Sequence, residues 1–213
     1  MLAHDVRKPF TLVQYFLNDL PNKKFDDNFI KESSTAIERA LNQVNSMIED
    51  TLEMTKTKPP TLEQCKPQSI INASLRDTFK AFDNLDITIS YELNAKNYLH
   101  IDLMKMQRVF VIIIGYAVEG MNKKGTIWFK TNDQTSFIEF IIGNSNSYIA
   151  PEDQSKIFDA FFTTGKKKGT GLGLAICYKI VSDHGGEISV TSTHEDGTEF
   201  ILRLPSTQGE FEI

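Results

Sequence analysis

Gly169, Thr170, Gly171, Leu172, Gly173 and Leu174 set a glycine at every second position, directly after Lys166, Lys167 and Lys168 and directly before an apolar helical pattern. Glycine lets a backbone approach a polyphosphate closely, and the unpaired N–H groups of a first helical turn supply donors aligned with the helix dipole. The lysines add positive charge beside them. No Lys-Ser/Thr pair follows the last glycine, which excludes a P-loop, and no short strand runs straight into the cluster, which excludes a dinucleotide fingerprint. On spacing alone the cluster also fits a tight turn ahead of a helix. Cys65 and Cys177 are the only cysteines, too few for a disulfide framework and not spaced as a metal pair.

A cradle of this kind needs a helix behind it and a sheet beneath it. The pattern predicts a helix over 172–184, stopped by Gly185 and Gly186, then strands over 187–192 and 198–204 around a turn at 195–197. Ahead of the cluster, 143–168 is polar and aperiodic, which predicts a long loop or lid of the functional kind. Earlier still, a helix over 68–82, a strand over 87–93, an apolar helix over Leu103–Gly120 and strands over 126–130 and 137–142 make a mixed α/β domain. Lys56-Thr-Lys-Pro-Pro60 marks its start, because adjacent prolines remove two backbone donors and bias the preceding residue away from helix.

The first quarter of the chain is built differently. Val6, Phe10, Val13, Leu17 and Leu20 recur at spacings of three and four before Pro21, and Ile30, Ile37, Leu41, Val44 and Ile48 follow a heptad seam. Two such helices joined by the polar turn 21–24 form a hairpin, and a hairpin cannot bury both apolar stripes by itself. The expectation is a homodimer that completes a four-helix bundle; folding back onto the rest of the chain is the alternative. The domains expected are therefore 1–58, a dimerisation hairpin, and 59–213, the mixed α/β domain, an α+β fold overall.

Composition narrows the function classes. The 213 residues are 40% hydrophobic and 24% charged, ordinary for a packed globular chain. With 23 basic and 28 acidic residues the net charge is −5, which argues against a partner held by a broad basic face such as nucleic acid. The longest apolar run, 109–118, is about half of a bilayer span. Any membrane attachment is expected through regions outside this chain, and cysteine usage points to a reducing, cytoplasmic setting.

Ile157-Phe-Asp-Ala-Phe-Phe-Thr-Thr164 followed by Gly169-Thr-Gly-Leu-Gly-Leu-Ala-Ile176 resembles the F and G2 boxes of bacterial sensor histidine kinases, and His4-Asp-Val-Arg-Lys-Pro-Phe10 is similar to their H box. Order and spacing agree, and the resemblance covers nearly the whole chain. It implies a dimeric histidine-phosphotransfer hairpin followed by an ATP-binding domain of the GHKL type, here beginning three residues before the histidine and so looking like a fragment without a sensor. It also implies His4 as phosphoacceptor and a receiver-domain aspartate on a response regulator as the next acceptor. A neutral imidazole is a competent nucleophile near pH 7, and Asp5 can orient the ring and accept its other proton. Arg7 is placed to steady the transferred phosphoryl group. Lys168, Gly169, Thr170, Gly171, Leu172, Gly173 and Leu174 would hold the ATP phosphates.

Three boxes depart from the family pattern. Ile112 and Tyr116 stand where the family's N box carries the asparagine that holds Mg²⁺, and neither supplies an amide oxygen. Glu119, nearly on the same helix face, fits two roles, a replacement metal ligand or an ordinary solvated carboxylate. In the G1 box Asn144, Asn146 and Tyr148 replace the usual Asp, Gly and Gly. Asn144 then offers adenine a neutral carbonyl oxygen, and Tyr148 either fills the base pocket or stacks on its occupant. Thr198 matches a family threonine near the base. Lys8 replaces the H-box Thr or Asn that aligns water for phosphatase chemistry, so phosphotransfer without efficient phosphatase activity is expected.

Two readings follow. The first is a dimeric histidine-kinase core that phosphorylates His4 from ATP and passes the phosphoryl group to a receiver aspartate. The second is a pseudokinase, or histidine phosphotransfer and docking module, whose altered pocket binds ATP weakly and Mg²⁺ poorly.

Overall fold

The structure, a computed structural model, describes residues 27–55, 58–82, 85–163 and 171–207, together with 11, 14 and 18. The chain divides into two compact units, one comprising 1–56 with 160–172 and the other 57–159 with 173–213.

In the first unit, helix α1 (Asp27–Thr55) ends just ahead of the Lys-Pro-Pro segment that predicted its stop. Its heptad positions Ile30, Leu41 and Ile48, and Leu52 beyond them, stand 46–53% exposed. The partner helix of the expected hairpin falls almost entirely outside the described residues; Thr11, Gln14 and Asn18 are helical.

The second unit is a layer of helices on one face of a mixed sheet. Its elements are β1 (Glu63–Cys65), α2 (Pro67–Lys80), β2 (Asp86–Leu93), β3 (Tyr98–Ile101), α3 (Leu103–Gly120), β4 (Lys124–Asp133), β5 (Phe137–Asn144), α4 (Pro151–Gln154), α5 (Gly173–Asp183), β6 (Glu187–Thr193) and β7 (Gly197–Thr207). The strands run in the order β1-β3-β7-β5-β4-β2, with β6 on the other side of β7. β2 and β4 are parallel; every other pairing is antiparallel. β7, last in sequence, is thus central, bonded to β3, β5 and β6.

Period-two patterning assigns the faces. Ile127 and Phe129 of β4, Ile138, Phe140 and Ile142 of β5, and Phe200, Leu202 and Leu204 of β7 are buried on the helix side. Against them lies α3, whose Met106, Val109, Phe110, Ile113, Ile114, Ala117 and Val118 are all buried. Phe110 meets Phe140 edge to face at 5.3 Å. α3 packs on α2 and α5, which is why it reads as apolar nearly all round. It opens on Asp102, whose carboxylate accepts the Lys105 and Thr61 N–H groups at 3.2 and 3.1 Å. The short β1 and β3, and α4 inside the stretch expected to be all loop, are additions to the sequence reading; α4 starts on Pro151 with Glu152 and Asp153 in its first turn, a favourable helix opening.

On the outward face, Trp128 lies across Gly143, its partner in the β4–β5 register. A Cβ at Gly143 would fall 2.1 Å from the indole, so only glycine fits beneath it. The indole N–H reaches over β5 to Glu199 Oε1 at 2.8 Å.

Candidate functional site

Gly173 begins α5 and faces the middle of α3. A Cβ built on it would lie 3.3 Å from Ile112 Cγ2 and 3.8 Å from Tyr116 Cε2. The structure therefore brings the start of the glycine-opened helix onto the α3 face that bears Ile112 and Tyr116. Leu174, Ala175, Ile176, Cys177, Ile180 and Val181 are the buried positions that seat this helix. At its far end His184 accepts the Asp102 N–H through Nε2 at 3.0 Å, while Nδ1 donates to the Ile180 carbonyl at 2.7 Å. That bond ties the end of α5 to the cap of α3.

Tyr116 is 43% exposed. Burial raises the pKa of its hydroxyl above the ordinary tyrosine value, with the neighbouring Cys177 and Glu119 adding to the shift. Near neutrality the phenol is a proton donor, suited to an anionic phosphate oxygen rather than to a metal. Ile112 offers no oxygen, and Glu119 is the one carboxylate on α3. Among the described residues no three His, Cys, Asp or Glu side chains gather in a metal-binding group. These residues do not make a Mg²⁺ coordination set of the kind the N-box asparagine supplies.

Within the first unit, Phe161 donates its N–H to the Gly171 carbonyl at 2.8 Å. Gly171 takes φ +69°, and a Cβ there would fall 2.6 Å from the Phe161 carbonyl carbon, so this turn requires glycine. Leu172 is buried. Lys168, Gly169 and Thr170, like His4, Asp5, Arg7 and Lys8, lie outside the described residues.

Asn144 and Thr198, far apart in sequence, are paired in the β5–β7 register and both buried. A short polar chain joins them: Asn144 Nδ2 donates to Ser147 Oγ at 2.7 Å, and Ser147 donates to Thr198 Oγ1 at 2.8 Å. It continues from Thr198 to Ser192 Oγ at 2.8 Å. Ser147 and Ser192 were not among the residues singled out by sequence. Period-two patterning along β6, which puts Ile188 and Val190 on the helix side, also puts the hydroxyl of Ser192 there and is the signal that would have found it.

The two other altered G1 positions have local explanations. Asn146 adopts φ +56°, the left-handed conformation a glycine would supply, which asparagine tolerates better than most residues. Tyr148 neither requires a positive φ nor awaits an occupant to stack on; its ring lies over His194 of the β6–β7 turn, centroids 3.6 Å apart and 17° from parallel. A groove of about 580 Å³ is lined by residues including the outward-facing Thr126, Trp128, Lys130 and Glu199, and also by Ser192 and Gly197 at the end of the polar chain.

A family model described as histidine kinase-, DNA gyrase B- and HSP90-like ATPase matches residues 101–208. The sensor protein SrrB of Staphylococcus aureus (strain N315) is 27% identical over 218 residues, covering 97% of this chain and 37% of SrrB. The sensor histidine kinase ZraS of Escherichia coli (strain K12) is 25% identical over 209 residues, covering 96% of this chain and 44% of ZraS. The chain thus spans less than half the length of these relatives. Among solved structures, histidine kinase ThkA in complex with response regulator protein TrrA superposes with TM-score 0.80 at 25% identity, over 96% of this chain and 60% of that one. Acinetobacter baumannii histidine kinase AdeS, at 18% identity and TM-score 0.76 over 96% of this chain and 98% of its own, shares the fold.

Proposed function

The chain belongs to the histidine kinase-, DNA gyrase B- and HSP90-like ATPases, as the core of a bacterial sensor histidine kinase, and we propose that it phosphorylates His4 from ATP and passes the phosphoryl group to an aspartate of a response regulator. The observation that carries the reading is the seating of the glycine-opened α5 against the Ile112–Tyr116 face of α3. A helix N-terminus held there meets an anion with unpaired N–H groups, and the protonated Tyr116 adds a donor beside it.

In this reading an imidazole nitrogen of His4 attacks the terminal phosphorus of ATP as the bond to the ADP oxygen breaks. The ring's other proton goes to Asp5, and Arg7 balances charge on the transferred group. Lys168, Gly169, Thr170 and Gly171 through Leu174 hold the phosphates, and Asn144 with Thr198 lines the base pocket. Residues 1–58 act as a dimerisation and phosphotransfer hairpin and 59–213 as the catalytic domain. On α3 the one carboxylate is Glu119, and the ion is not assigned to this chain's side chains. Lys8, without an amide or hydroxyl to align water, makes the protein a phosphotransferase with little phosphatase activity.

The test is incubation of the purified chain with γ-labelled ATP. Acid-labile label is expected on the wild type and absent from His4→Ala, and label should move to a receiver domain added afterwards. Equal labelling of both proteins would refute His4 as the acceptor.

A further inference from the structure

We propose that Ser147 is a positioning residue for nucleobase selection: it holds the Asn144 amide so that Oδ1 faces the ligand, and the chain therefore favours a 6-amino purine over a 6-oxo purine with a neutral acceptor. This rests on the placement of Asn144 and Thr198 in the base pocket made above.

The direction of the hydrogen-bond chain is fixed at both ends. Asn144 Nδ2 donates to the backbone oxygen of Ser145 at 3.1 Å as well as to Ser147 Oγ. A carbonyl can only accept, so turning the amide over would set two oxygens against each other. At the far end Ser192 donates to the Gly197 carbonyl at 3.1 Å, while its Oγ accepts the Ile149 N–H at 2.9 Å. Each hydroxyl has one proton. If Ser192 gives its proton to Gly197, Thr198 must donate to Ser192, Ser147 to Thr198 and the amide to Ser147. Every link then runs one way from N–H to C=O.

That leaves a defined remainder. Ser147 and Thr198 have no proton to offer a ligand, and Asn144 Oδ1 has no hydrogen-bond partner among the described residues, although the residue is only 2% exposed. Oδ1 can only accept. An exocyclic amino group meets it as a donor, whereas a 6-oxo group meets it oxygen to oxygen and leaves a buried acceptor unpaired, the situation in which a site rejects a near-isostere strongly.

The experiment is calorimetric titration of the chain with the β,γ-imido analogues of ATP and of inosine triphosphate, which differ at the purine 6-position. The adenosine analogue should bind the wild type at least about tenfold more tightly. In Ser147→Ala the amide keeps only the Ser145 bond, and the preference should shrink at least threefold, with Ser147→Thr restoring it. Equal affinity of the wild type for both analogues, or an unchanged ratio in Ser147→Ala, overturns this proposal alone. Binding of neither overturns the nucleotide-binding reading and takes the proposal with it. Should Ser147→Ala not fold, the side-chain amide of Asn144, followed by ¹⁵N-asparagine labelling, serves instead: slow proton exchange is expected of an amide bonded at both donors, and rapid exchange overturns the chain.

Discussion

Single side chains do most where the backbone leaves them no choice. Gly143 is one such place, because the indole of Trp128 occupies the space of its missing Cβ. Gly143→Ala should lift the ring, break its bond to Glu199 and destabilise the sheet by about 1–3 kcal/mol, as overpacked sites do. Trp128 is the only tryptophan, so urea unfolding followed by its fluorescence reads both effects, and an unshifted native spectrum with unchanged stability would contradict the packing. Cys65 supplies a pH-dependent counterpart. Burial, reinforced by Glu63, pushes its thiol from the ordinary 9.0 up to about 11. The native state thus favours the protonated form, a stability contribution present below about pH 9 and lost as pH rises through 11. At pH 8 iodoacetamide should modify native Cys65 on the order of a hundredfold more slowly than the urea-unfolded chain; equal rates would show the thiol is not shielded. At this scale the sequence already pointed to Asn144 and Thr198 but not to their coupling, since Ser147 and Ser192 are unremarkable serines until the strand register aligns them.

Elements were legible in proportion to their length and periodicity. α3 spans Leu103–Gly120 as its apolar pattern predicted, because a helix buried against both a sheet and two other helices needs nearly every position apolar. The long strands β4, β5 and β7 announced themselves by alternation and ran a few residues further than expected. β1 and β3, three and four residues long, are too short for any period to register. α1 poses the opposite question, being fully legible yet leaving Ile30, Leu41, Ile48 and Leu52 exposed along one stripe. Such a stripe on a 29-residue helix is costly to leave in water, and pairing of hairpins in a dimer would cover it. Light scattering at micromolar concentration should give a dimer, and Leu41→Asp, which would bury an unpaired charge, should give a monomer. A monomeric wild type would remove the bundle from the reading.

At the scale of the whole chain, the order of the strands is what no local pattern could reveal. Periodicity assigns each strand an inner and an outer face but says nothing about its neighbours, and here the neighbours are distant in sequence. β7 joins β5 to β6 and also receives β3, so the last strand to be specified holds the others in place. During synthesis on a ribosome this has a direct outcome. β3, β5 and β6 leave the exit tunnel before the strand they pair with, and each presents an open edge until β7 follows. β1 with β3, and β2 with β4 and β5, can pair as they emerge, but these two groups and β6 are joined into one sheet only when β7 follows. A stop codon ahead of Gly197 would therefore yield a product without the strand that joins its sheet rather than a shortened domain.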